Sequence, residues 1–80
     1  SFKIRNSTLR IDLENPNPAA GKGNIHLQDS ANPGLKFKID PKTGQFTDPS
    51  VPRQIQELLQ DPRIQQAIRK AMYYYNGGPQ

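Results

Sequence analysis

Apolar and polar residues alternate in several stretches of the first part of the chain. In LRIDL, Leu9, Ile11 and Leu13 share one face, and in NIHLQ, Ile25 and Leu27 do the same. The pattern recurs in LKFKID and, more briefly, in SFKIR and TGQFTD. A period of two is typical of strands with one buried and one solvent-exposed face. The sequence therefore predicts a small antiparallel sheet of about four strands.

Turn-forming residues separate these stretches. The segment ENPNPAAGKG, residues 14–23, contains two Asn-Pro pairs and is predicted to be a loop. DSANPG contains Pro33-Gly34, which favours a tight turn, and DPKTGQ contains Pro41 and Gly44, typical of a hairpin turn. We expect an antiparallel meander from NIHLQ to TGQFTD, joined to LRIDL by the Pro-rich loop.

The period changes after residue 49, where helical spacing of apolar residues begins. Ser50 is predicted to cap a first helix with Pro52 near its start, and Asp61 and Pro62 are predicted to begin a second. The GGP sequence at 77–79 ends it. The second helix carries an apolar stripe, formed by Ile64, Ala67, Ile68, Ala71 and Met72.

These patterns predict a single α+β domain over residues 1–80. Because the chain starts at Ser1 without Met, we expect it to be a fragment, the C-terminal one, of a longer protein. The apolar face of the sheet needs a cover, and the two C-terminal helices supply it. The other face stays open to solvent, so that function is expected there. Its polar residues are Arg10, Asp12, Asn24, His26, Gln28, Lys36, Lys38, Gln45 and Thr47.

Composition narrows the choice of partner and cofactor. The chain has 11 basic and 7 acidic residues and a net charge of +4, which favours nucleic acid, a membrane surface or an acidic protein. Because it has no cysteine and a single histidine, thiolate and histidine-cluster metal sites are excluded. We expect no metal and no cofactor. No apolar run approaches the roughly 18 residues of a membrane span.

The open face combines an imidazole with several cations, which suits RNA cleavage without a metal. His26 is suited to proton transfer because its ordinary pKa lies near 6.5. Arg10 can hold phosphate oxygens, and Lys36 and Lys38 add point charges. Lys22 lies in a Gly-flanked loop that can approach a phosphate, although GKG lacks the rest of a nucleotide-binding loop.

Each of these residues also has an ordinary structural interpretation. A lone histidine on a strand is often solvated, and exposed lysines often only increase solubility. Arg10 and Asp12 can simply pair across strands. The three consecutive tyrosines 73–75 allow two interpretations. An exposed ring such as that of Tyr74 can stack on a base, or one ring packs against the protein while the others face solvent. The basic residues of the two predicted helices either form a solvent-exposed face or extend the phosphate-binding surface. These residues are Arg53, Arg63, Arg69 and Lys70.

Over residues 8–78 the chain resembles the C-terminal toxin domains of bacterial polymorphic toxins, which are delivered by Rhs-type, contact-dependent and type VI systems. The resemblance lies in LRIDLENPNPAAGKGNIHLQD, LKFKIDPKTGQF and QELLQDPRIQQAIRKAMYYYNG. The architecture looks like that of the barnase, EndoU, colicin-tRNase and RelE ribonucleases. Members of that group usually have a helix before the sheet, which this sequence does not show.

The resemblance implies an endoribonuclease in which His26 is the catalytic imidazole, with Gln28 beside it and Arg10 at the phosphate. With only one histidine, Asp12 or Glu14 would have to supply the second acid. The fallback is a single histidine with Arg and Lys as stabilisers, or a tyrosine as the second group. The residues expected to bind substrate are Lys22, Lys36, Lys38, Thr47 and Tyr74.

The resemblance also implies export from a bacterium and action in the cytosol of a target cell. The domain is expected to be monomeric apart from a cognate immunity protein, which would be acidic. The alternatives are a non-catalytic basic RNA-binding module, a protein-interaction domain, or a toxin of other chemistry.

Overall fold

The computed structural model describes residues 1–14 and 23–78, and all contacts given below lie within these ranges. Four strands form one antiparallel sheet in sequence order. They are β1 (Phe2–Lys3), β2 (Leu9–Glu14), β3 (Asn24–Asp29) and β4 (Asn32–Ile39). The predicted α+β class and the antiparallel sheet are confirmed. Most of the predicted Pro-rich loop and Lys22 lie outside the described residues.

The helical part follows the sheet along the chain. It consists of α1 (Arg53–Gln56), a 3₁₀ turn (Glu57–Gln60) and α2 (Pro62–Tyr75). Helix α2 packs against β1 and β2. Asp61 is its N-cap, since the Asp61 side chain accepts a hydrogen bond of 2.9 Å from the backbone N–H of Arg63. The predicted start of α2 is therefore correct.

The core lies between the sheet and α2. Ile11 and Leu27 are paired across β2 and β3, and Ile25 is paired with Ile39 across β3 and β4. These four side chains have no exposed surface, and neither has Ile64 on α2. The buried cluster thus uses alternate residues of the strands, together with the helical stripe. Its remaining members are Ile4, Leu59, Ala67, Ile68 and Ala71.

The predicted strand TGQFTD is not a strand. Phe46 forms a single isolated bridge with Ile39, after a turn in which Gly44 adopts φ of +74°. The chain then turns away because the Asp48 carboxylate accepts hydrogen bonds from the backbone and the hydroxyl of Ser50. The prediction that Ser50 caps the first helix is consequently wrong. The N-cap position of α1 is Pro52, which makes no side-chain capping hydrogen bond.

The turn between β3 and β4 also differs from the prediction. The chain reverses at Ser30 and Ala31, and Pro33 and Gly34 already belong to β4, beside an irregularity in the pairing at Gln28. Since β4 is an edge strand, Pro33 can lie there on a side that needs no ladder hydrogen bond.

Candidate functional site

The sheet face opposite α2 carries polar side chains from all four strands, and we call it the open face. Strand pairing arranges most of its residues in two rows, and a third pair, Glu14 and Asn24, lies beyond the second row. Paired residues of neighbouring strands point to the same side of a sheet. The first row is Lys3, Arg10, Gln28 and Lys36, and the second is Asp12, His26 and Lys38.

His26 occupies the centre of the open face. Its chain neighbours Ile25 and Leu27 are fully buried, and this fixes the imidazole on the opposite side of β3. Atom Nδ1 lies 3.5 Å from Oε1 of Glu14, and the same oxygen lies 3.4 Å from Nζ of Lys36. The Glu14–Lys36 ion pair therefore lies against the ring, and the His26 side chain is only 13% exposed.

The surroundings of His26 lower its pKa below the usual 6.5. Burial is the main cause, and the positive charges of Lys36 and Lys38 act in the same direction, whereas Glu14 and Asp12 oppose it. The imidazole is thus predominantly neutral at pH 7 and is able to accept a proton. Nδ1 is buried without a hydrogen-bond partner among the described residues, which leaves Nε2 as the nitrogen for a substrate.

Arg10 is held in a fixed orientation on the first row. Its Nε donates a hydrogen bond of 2.8 Å to Oδ2 of Asp12, and its Nη2 lies 3.4 Å from Oε1 of Gln28. The Arg10 side chain is still 35% exposed. Among the described residues the guanidinium has no other hydrogen-bond acceptor, so that its remaining N–H groups could bind an anion while Asp12 and Gln28 hold its orientation.

No protein-family model matches the chain, and no curated protein or solved structure is significantly similar to it. Function is therefore inferred from the open face itself. Among the described residues, no group of three or more histidine, aspartate or glutamate side chains is placed to hold a metal ion. Within the same ranges, no helix has the length and hydropathy to cross a membrane.

The structure brings together five of the eight residues that the sequence singled out. His26, Arg10, Gln28, Lys36 and Lys38 share the open face.

The other three are not among the paired residues of the four strands. Thr47 is exposed beside the outer edge of β4, where its backbone N–H donates a hydrogen bond of 3.2 Å to the carbonyl of Lys38. Tyr74 lies on the helix side of the sheet, stacked on Phe2 with 5.6 Å between ring centroids. Lys22 falls outside the described residues.

Two residues of the open face were missed or undervalued from sequence. Lys3 is paired with Arg10 and so extends the first row to β1; the alternation in SFKIR was the signal for it. Glu14 was considered only as a substitute acid, whereas it is the carboxylate nearest to the imidazole. Its position at the end of the LRIDLE alternation placed it on the open face.

Proposed function

We propose that this domain is an endoribonuclease that cleaves RNA by metal-independent transesterification, and that it belongs to an antibacterial toxin acting in the cytosol of a target cell. The observation that carries the proposal is the position of the His26 imidazole between a carboxylate and several cations on one open face. Lys38 lies directly opposite His26 on β4, and Arg10 lies in the neighbouring row. This is a set of groups suited to proton transfer at a phosphodiester.

In the proposed reaction, Nε2 of His26 accepts the proton of a ribose 2′-hydroxyl. The 2′-oxygen attacks the adjacent phosphorus and forms a new O–P bond, while the bond from phosphorus to the 5′-oxygen breaks. The leaving oxygen takes a proton from solvent, because the chain has no second imidazole. The products are a 2′,3′-cyclic phosphate and a 5′-hydroxyl.

The cations stabilise the charge that develops on the phosphorane. Arg10 presents a preoriented guanidinium, which can donate two parallel hydrogen bonds to phosphate oxygens. Lys38 acts as a point charge beside the imidazole. The orientation of Arg10 is already set by Asp12 and Gln28, and such preorganisation is the condition for efficient electrostatic stabilisation.

Glu14 acts in this proposal as a positioning residue. A carboxylate beside Nδ1 favours the tautomer with its proton on that nitrogen, which leaves the lone pair of Nε2 free to act as the base. Because Glu14 also pairs with Lys36, a bound phosphate competes with Glu14 for that lysine. Substrate binding would thus open the ion pair that covers the imidazole.

The biological setting follows from the same proposal. A toxin of this kind is exported by a bacterium and is neutralised in the producing cell by a cognate immunity protein. The net charge of +4 and the cations of the open face would favour an acidic inhibitor that covers this face. Mixing the domain with such an inhibitor should abolish cleavage.

The test is cleavage of total RNA and of tRNA by the purified domain in the presence of a chelator. We expect products ending in cyclic phosphate, and a decrease in kcat of about 10²- to 10⁴-fold in the His26→Ala variant. Asn24→Ala, on the same strand and face, serves as the control and should retain activity. Unchanged cleavage by His26→Ala would refute the role of His26, and no cleavage by the wild type would refute the function.

A second candidate is a non-catalytic RNA-binding module, favoured by the low exposure of His26 under the Glu14–Lys36 pair. It predicts salt-sensitive RNA binding that persists in His26→Ala. It also predicts that expression in the bacterial cytosol does not inhibit growth, whereas the ribonuclease would.

A further inference from the structure

A second basic surface lies outside the open face, in the groove between β1 and the first half of α2. The groove encloses about 630 Å³. Its floor includes the buried side chains of Ile4 and Ala67. Four cationic residues line it, and we call it the basic groove: Lys3, Arg5, Arg63 and Lys70.

The cations of the basic groove differ in how they are held. Arg63 is anchored, since its guanidinium binds the Asp61 carboxylate, with 2.7 Å between Nη2 and Oδ2, and also binds the backbone carbonyl of Arg5. By contrast, no carboxylate in residues 1–14 and 23–78 lies within ion-pair distance of Lys3, Arg5 or Lys70. Three basic residues whose charges no described carboxylate neutralises therefore line one groove, which favours binding of anions.

The basic groove is continuous with the open face. Lys3 lines the groove and is paired with Arg10, the first-row guanidinium. From β1 to β3, the strand that carries His26, there are two strand spacings, about 10 Å in all. A polyanion that crosses the sheet along the first row would thus reach the groove over the short edge strand β1.

We propose that the basic groove binds the phosphodiester backbone of the RNA strand beyond the phosphate that is cleaved. This inference rests on the proposed ribonuclease function and extends its substrate from a single phosphate to a strand of several nucleotides. RNA is favoured over an acidic protein because the groove continues the row of cations that leads to His26. Longer RNA should accordingly bind more tightly than a dinucleotide.

The test measures binding of a 12-nucleotide strand with 2′-deoxy sugars, which cannot be cleaved, by fluorescence anisotropy. In the double variant Arg5→Gln/Lys70→Gln we expect Kd to rise about tenfold at low salt. The slope of log K against log salt should decrease by about 1.4, since each lost contact to a single strand contributes about 0.7. The control removes two exposed cations outside the groove, Lys42→Gln/Arg69→Gln, and should change Kd little.

Cleavage assays separate this inference from the function on which it rests. With active enzyme, the preference for the 12-mer over a dinucleotide in kcat/KM should fall in the groove variant and persist in the control. If the wild type cleaves RNA and both double variants bind the 12-mer alike, the groove proposal is wrong and the function stands; this is the result expected if the groove serves an acidic protein. If the wild type does not cleave and the groove variant alone loses binding, the function is wrong and the groove stands.

Discussion

The Nδ1 atom of His26 and the Oε1 atom of Glu14 lie 3.5 Å apart, at the centre of a sheet face that otherwise carries mainly cations. Glu14 stabilises the protonated imidazole, while burial and two lysines destabilise it more strongly. The balance favours the neutral ring, with a carboxylate beside Nδ1. The protonation of His26 is consequently the property of this site that is most open to measurement.

The pKa of His26 should be directly measurable by NMR, because the chain contains no other histidine. We expect a value below 6.5 in the folded wild type. Replacing Glu14 with Gln removes a charge that raises the pKa, and should lower it further. Replacing Lys38 with Gln removes a charge that lowers the pKa, and should raise it. A wild-type value at or above 6.5, or shifts in the same direction in both variants, would contradict the described environment.

The same pKa shift predicts how stability depends on pH. Because the folded pKa of His26 is lowered, the unfolded chain takes up the proton first as pH falls below 6.5, which favours unfolding. The penalty is absent above pH 6.5 and is complete below the folded pKa. Urea denaturation at pH 7.5 and pH 5 should thus show a smaller loss of stability for His26→Gln than for the wild type. An equal loss in both proteins would count against the shift.

Gly44, in the turn after β4, should tolerate replacement by alanine poorly. Its φ of +74° disfavours a side chain, and an added Cβ would lie 3.4 Å from atoms of both Ile68 and Met72. We expect Gly44→Ala to lower the free energy of unfolding by about 1–2 kcal/mol. The control is Gly34→Ala, where the Cβ would meet only Asn32 at an ordinary 3.7 Å. Equal unfolding midpoints for the two variants would argue against the turn.

The two buried neighbours of His26 should be sensitive to truncation in proportion to the volume removed. Ile25→Val should cost about 0.5–1.5 kcal/mol and Leu27→Ala about 2–5 kcal/mol. The larger loss is a substantial fraction of the stability of a domain of this size, for which about 0.05–0.15 kcal/mol per residue is typical. Urea denaturation followed by circular dichroism would measure both. A negligible loss in Leu27→Ala would mean that β3 is not anchored as described.

The local sequence pattern was sufficient to predict secondary structure wherever apolar residues followed a clear strand or helix period. The alternation in LRIDL and NIHLQ predicted β2 and β3 and placed His26 opposite Ile25 and Leu27. The Asp61-Pro62 pair predicted the start of α2. The prediction failed at Phe46, where alternation extended over too few residues, and at Ser50, whose hydrogen bonds to Asp48 formed a turn instead of a cap.

The sequence by itself determined on which face of β2 and β3 each side chain lies, because burial of one apolar face fixes the direction of every residue between. It predicted that β3 and β4 are neighbours, but it did not determine where β1 and β2 pair or in what register the strands lie. Only the tertiary structure placed Lys3 beside Arg10 and Tyr74 against Phe2, and brought Glu14 to the imidazole. These contacts join residues that are distant in the chain, and their geometry depends on hydrogen bonding between strands and on the packing of α2, neither of which a local period encodes.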